Sequence, residues 1–359
     1  MFQFLIKVKP LGFLYGSAGA FLSAQNLVGR SGEKFPPNAS VLSGLILRAH
    51  QEDRSTSPDK IKQLRQNLTV AGAFWAKDDD IDPTSGNQNF YVPMPRSLTI
   101  GKDDCAEWEI VNGKWHRQEQ ELQADYSWQR IDFWNDSIAL IQKDGVAEKI
   151  PWKFTPILHP SLQDEQRHVL QEDGLFLENA VQMDEDSCLV YLSTHEIADG
   201  WYRFGGENHM VEISCQKLNG YILELLNAPI KKSFALICPA VWGTNNLSER
   251  YPSAFKASHK PPQMLTDRPV PFRYRLGNDE RKNSSVLGIG RYAVPAGTVY
   301  VLKHDLNKTW WDFPNEWFPQ SSKRELPEGR NTLLKQLGCG LCLPIEIKVE
   351  IKNEQKGVD

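Results

Sequence analysis

A chain of 359 residues, 40% hydrophobic and 24% charged, has room for roughly two domains of ordinary size, each with its own core. Its 41 basic and 45 acidic side chains give a formal net charge of −4, which excludes a global field that attracts nucleic acid, so any contact to a polyanion has to use local patches. No run approaches the ~18 consecutive apolar residues needed to span a bilayer, and Lys7, Lys9 and Pro10 interrupt the apolar stretch from Met1 to Ala24, which also lacks the basic cluster of a secretory leader. The expectation is a cytoplasmic protein.

At the start of the chain, Phe2, Phe4, Ile6 and Val8 alternate with Gln3, Leu5, Lys7 and Lys9, the period-two pattern of a strand with one buried face. Two prolines, Pro36 and Pro37, stop any preceding structure. Asn38 or Ser40 can then cap the helix that the apolar run from Val41 to Ala49 predicts, with Gly44 as a small-residue notch and Arg48 on its flank. Pro58 to Leu68 resumes an amphipathic helical pattern, and Lys77 to Asn87 is an acidic, turn-forming insert without the spaced ligands of a calcium loop. Trp108, Trp115, Trp128 and Trp134 fill the next stretch, where they can be an aromatic RNA platform or half-buried packing; the burial usual for large rings favours packing.

The prolines between Pro151 and Gln166 mark a boundary between two halves, 1–160 and 161–359. Beyond it, Leu189 to His195, Met210 to Cys215, Tyr221 to Leu226 and Phe234 to Cys238 read as strands, and Pro344 to Ile351 as the last. Short strands with a few helices suit an α+β architecture, although no internal sequence repeat marks a duplication. Cys105, Cys188, Cys215 and Cys238 are scattered like small hydrophobes of a reducing compartment. Cys339 and Cys342 form one C-x-x-C pair, but no second pair exists to complete a structural zinc site, so neither a metal nor a cofactor is expected.

Three glycine-rich segments adjoin cations: Gly205 and Gly206 beside Arg203, Gly288 and Gly290 beside Arg291, and Gly338 and Gly340 after Lys335. Successive amides in such turns can form anion-binding concavities, with the neighbouring cation adding a charge-assisted contact; each glycine can equally serve a tight turn alone. From Arg268 to Tyr292 the arginines at 268, 273, 275, 281 and 291, with Lys282, interleave with Phe272, Tyr274 and Tyr292, a pattern suited to single-stranded RNA or to a solvated basic face. The eight histidines show no metal spacing, and the strand-like run after Gly290 contradicts a dinucleotide fingerprint, which requires a helix there.

Taken in order, the proline-capped helix, Tyr91-Val92-Pro93-Met94-Pro95-Arg96, Asp173-Gly174-Leu175-Phe176, Tyr202-Arg203-Phe204-Gly205-Gly206-Glu207, Ala293 to Tyr300 and Leu337-Gly338-Cys339-Gly340-Leu341-Cys342-Leu343-Pro344 form a series. The series resembles the RAMP superfamily of CRISPR-associated RNA-binding proteins, most closely the third subunit of the Cmr (type III-B) effector complex. The resemblance implies two ferredoxin-like, RRM-related domains with inserted loops and hairpins. It implies a non-catalytic subunit that binds the 5′ tag of the guide crRNA and docks on the large polymerase-like subunit beside a backbone subunit. Carried onto this chain, it implies RNA contacts at Ser40, Arg48, Arg96, Arg203, Gly205, Gly206, Arg291, Lys335, Gly338 and Gly340. The region from Phe13 to Phe21 lacks the basic residue expected after the first strand. Other RAMP proteins are metal-independent endoribonucleases, which makes repeat-RNA cleavage the alternative, and a scaffold that touches RNA incidentally is a third reading.

Overall fold

The computed structural model describes residues 1–15, 35–53, 56–82, 84–160, 162–163, 166–169, 174–205, 208–256, 261–276, 286–320 and 333–350. The first strand, Phe4–Pro10, forms where its alternation predicts, with Ile6 and Val8 fully buried, but Leu5 of the opposite face is fully buried too and Phe4 only half-buried, because the strand lies in the middle of a sheet. After the two prolines, Asn38 caps the helix Ala39–Glu52: its side chain accepts from the Ser40 amide at 3.2 Å and from the Ser40 hydroxyl. Ala39, Leu42, Leu45 and Ile46 form its buried stripe. A second helix, Pro58–Asn67, is capped by Ser57 and carries proline at its first turn, where a missing N–H costs nothing.

The strand Phe4–Pro10 lies between Ser187–Ser193 and His209–Lys217, and Val70–Lys77 pairs with the far side of Ser187–Ser193, every neighbour being antiparallel. Numbered along the chain, these four central strands run in the spatial order 2-3-1-4. Tyr91–Pro93, Trp128–Arg130 and Ala147–Glu148 extend the sheet on one side and Gly200–Phe204 on the other, for eight strands in all. A smaller sheet is built from Ser233–Leu236, Gln263–Leu265, Val299–Val301 and Cys342–Pro344, again all antiparallel and again in the order 2-3-1-4.

The crossovers differ from each other. Both long helices lie between the first two strands of the large sheet, whereas among the described residues only one-turn 3-10 helices occupy the crossovers of the small one. The segment Tyr221 to Leu226 is not a strand: Gly220–Leu226 is a helix capped by Asn219, whose side chain accepts from the Ile222 amide at 2.9 Å, and it links the two sheets. Its apolar run satisfies either periodicity, and the cap decides. The C-terminal run also divides, into Cys342–Pro344 and Val349–Glu350.

A boundary at 160/161 would cut the large sheet, whose strands Ser187–Ser193 and His209–Lys217 flank Phe4–Pro10. Pro156 and Pro160 instead lie within an edge strand, Trp152–Pro160, that pairs with Leu175–Met183 in a long hairpin; the change of sheet comes between Lys217 and Ser233. The two sheets share one continuous core. Phe2 stacks on Trp310 with centroids 5.8 Å apart, and the Trp134 indole donates to the Pro344 carbonyl at 2.9 Å. Trp128 and Trp134 are buried, and Arg117 lies over Trp108, so this tryptophan-rich stretch is packing.

Candidate nucleic-acid interface

The residues expected to meet RNA divide by their surroundings. Arg203 is exposed on Gly200–Phe204, the outermost strand of the large sheet, and no carboxylate among the described residues pairs with it. Trp201 shares its face, since side chains two apart on a strand point the same way; Tyr202 and Phe204 face the core side. Trp201 is 71% exposed, an unusual position for so large an apolar ring. The exposed Met210 and Glu212 stand opposite Arg203 and Trp201 on the next strand, and Lys9 follows beyond Glu212. The sequence reading missed Trp201, although the alternation through Trp201-Tyr202-Arg203-Phe204 carried the signal. Gly205 forms the turn beyond Phe204, and Gly206 lies outside the described residues.

On the same open face, Asp78 receives both Lys7 and Lys9, with Lys7 at 2.8 Å. Burial opposes ionisation of Asp78, but the hydrogen bonds from the two lysines prevail and hold its carboxyl below the usual carboxylate range. Asp78 is thus a partner within the fold rather than part of a fully solvated acidic run.

Arg48 is exposed and bonds Glu52 one turn on at 2.7 Å, a surface pair worth about 0.3–0.5 kcal/mol that a phosphate can displace. Ser40, Gly44 and Arg48 form one stripe at four-residue spacing. A Cβ at Gly44 would meet nothing within 4 Å among the described residues, so none of them makes the glycine a packing notch or stands in the way of Gly44→Leu. Ser40 already serves the helix cap. Arg96 is half engaged: its guanidinium reaches Asp267 at 3.1 Å, and its amide donates to the Gly297 carbonyl at 2.8 Å.

Arg291, Lys335, Gly338 and Gly340 belong to the interior, which corrects their assignment to an RNA surface. Arg291 is 8% exposed and spends its guanidinium on the carbonyls of Thr244 and Gln320, at 3.0 and 3.1 Å. The Lys335 ammonium donates to the carbonyls of Trp311 and Phe313, at 2.7 and 2.6 Å, and lies over the ring of Trp310. Gly338 and Gly340 are buried, with φ of +70° and +71°. Their close approach is to Ala71 and to the Trp242 ring. The flanking Cys339 and Cys342 are buried thiols whose pKa values burial pushes up, and no group of three or more metal-ligating side chains occurs among the described residues. In the basic stretch from Arg268, Phe272 and Tyr274 pack edge to face and Arg273 donates to the Gly288 carbonyl, leaving Arg268 and Tyr292 exposed. Arg281 and Lys282 lie outside the described residues, as do the side chain of Arg275 and residues 16–20 of the loop after the first strand.

Burial lowers the pKa of Lys335 to about 8, against the opposing pull of Asp312. Between pH 8 and the unfolded value near 10.5 the unfolded chain therefore holds more protons at this site than the folded one, and stability from this group rises with pH. In urea titrations the stability of wild type relative to Lys335→Met should increase from pH 7.5 to pH 9.5; buried thiols and phenols act in both proteins and cancel. A constant difference would show that the ammonium carries no such burden.

No family model and no curated protein matches this chain. Among solved structures it is similar to a chain of the type III-B Cmr-beta complex bound to cognate target RNA, at 11% identity and a TM-score of 0.46 over 83% of this chain and 86% of that one. It is also similar to a chain of a Csm1-Csm4 cassette in complex with pppApA, at 14% identity and a TM-score of 0.37 over 98% and 99%. No described helix is long and apolar enough to cross a membrane.

Proposed function

We propose that this chain is a non-catalytic, RNA-binding subunit of a type III-B CRISPR effector complex, acting in the cytoplasm. In that reading it holds the 5′ tag of the guide RNA and docks on the large polymerase-like subunit next to a backbone subunit. The observation that carries the reading is the strand order 2-3-1-4, present in both sheets with every neighbour antiparallel, as in the βαββαβ unit. It supports two ferredoxin-like units, in register with the motif series of the sequence, with hairpins and 3-10 turns replacing most of the helices. Arg203 would take a phosphate while Trp201 stacks an unpaired base, and the Ser40–Arg48 stripe would offer a second contact.

A second reading, metal-independent RNA cleavage, has one observation in its favour. The Tyr15 ring contacts both His159 and His209, with centroids 5.7 and 5.1 Å away, which gathers two candidate proton-transfer groups against one side chain. Incubating the complex with labelled repeat and guide RNA in chelator separates the two. Binding without products is expected, and Arg203→Ala should weaken matched and scrambled tags alike while reducing the salt slope by about 0.7. Clean cleavage, abolished by His209→Ala, would replace the tag reader with the nuclease.

A further inference from the structure

The structure gathers a cationic patch that no motif of the sequence marks. The segment before the strand Ser233–Leu236 and the segment after the strand Val299–Val301 continue as paired neighbours beyond the small sheet. Leu302 donates to the Lys232 carbonyl at 2.7 Å, Leu306 to the Lys231 carbonyl at 2.9 Å, and Ile230 and Lys308 form a further bridge through an amide–carbonyl bond at 2.9 Å. This pairing places Lys231, Lys232, Lys303 and Lys308 on two adjoining loops, with His304 between the last two. Lys231, Lys232 and Lys303 are exposed, and none of the four lysines has a salt bridge among the described residues. Asp305 is the one acid on the two loops, Glu346 lies on the segment whose Ile345 amide reaches Ser233, and Asp312 feels the charge of Lys308 from the turn beyond it, so the excess of cations is carried by Lys231, Lys232 and Lys303.

We infer that this patch is a track for the sugar-phosphate backbone of single-stranded RNA, separate from the Trp201–Arg203 edge and indifferent to sequence. Like charges on two adjoining loops repel one another, and a polyanion relieves that repulsion while releasing its own counterions. A protein partner fits less well, because lysine is depleted in protein interfaces, whereas flexible ammonium groups act as point charges toward phosphates in many orientations. The loops offer no Phe, Tyr or Trp ring and only the smaller imidazole of the exposed His304 for a base, so position rather than sequence is what this track would set. The inference rests on the RNA-binding reading above.

The test uses the full chain and a fluorescent 12-nucleotide oligouridylate, with polarisation followed from 50 to 300 mM KCl. Replacing Lys231, Lys232, Lys303 and Lys308 by Gln should weaken binding at least ~10-fold at 100 mM salt and flatten the log–log salt slope by about 2 to 3, since each lost phosphate contact on a single strand removes about 0.7. The triple variant at the three exposed positions should flatten it by about 2 and keep the wild-type melting temperature, which guards against a folding defect from Lys308. Unchanged affinity and slope in the triple variant would overturn the track. So would a fluorescent polyglutamate that binds more tightly than the RNA and alone loses affinity in the variant, an outcome that assigns the patch to an acidic protein. Discrimination between matched and scrambled tags, measured in the same proteins, belongs to the other edge. Its absence in wild type would count against the tag reader, and its persistence in the lysine variants is expected.

Discussion

Gly340→Val should strongly destabilise the fold of the chain rather than act on a contact with RNA. A Cβ at this position would lie 2.5 Å from the Trp242 ring, closer than packed carbons approach, and the backbone there has φ +71°, which a β-branched residue adopts only under strain. Overpacking costs about 1–3 kcal/mol and the backbone about 1–3 more. Against a typical domain stability of ~5–15 kcal/mol, that is enough to depopulate the native state or shift its melting temperature far downward. Circular dichroism and thermal unfolding decide the matter: a variant with wild-type melting temperature and lost RNA binding would return the glycine-rich turn to the surface. The neighbouring Cys339→Ser and Cys342→Ser should be milder, because each buries a hydroxyl in place of a thiol without displacing backbone.

Trp242→Ala is the second large effect, and it carries a sign test on the first. The ring is fully buried, tilted against Phe318 at 5.1 Å, and its indole donates to the Tyr300 hydroxyl at 3.1 Å, which in turn donates to the Arg250 carbonyl. Truncation opens a cavity and removes a hydrogen-bond donor, at a cost of about 3–5 kcal/mol. The space it vacates is the space that a valine at 340 needs. In the Trp242→Ala background Gly340→Val should therefore cost markedly less than in wild type, leaving only the backbone strain. Additive losses in a double-mutant cycle would show that the ring is not what excludes the side chain.

The elements that were legible in the sequence are those decided locally. The alternation after Met1, the prolines before Asn38 and the amphipathic run from Pro58 each fix an element through its own residues, and each element is present. Tyr221 to Leu226 was not legible, because a run of apolar residues satisfies strand and helix alike, and the deciding Asn219 cap is a single side chain. The matching strand order of the two sheets was hidden for a related reason: strand order is a property of pairing between distant segments, and sequences that pair alike need share no residues. The candidate site failed where sequence cannot report burial. Glycine beside a cation reads the same whether the close approach is to phosphate or to Ala71, and Lys335 and Arg291 found carbonyls inside the fold instead of anions outside it. The paired lysine loops were invisible because about seventy residues separate them along the chain.

In the proposed function RNA meets the outer edge of the large sheet and not the glycine-rich turn, and photocrosslinking of guide RNA on the assembled effector complex tests this most directly. The predicted result is crosslinks from tag nucleotides to the peptide that carries Trp201 and Arg203, with none to the peptide from Lys335 to Cys342. Crosslinks confined to that C-terminal peptide, or a complex whose guide never touches this chain, would contradict it.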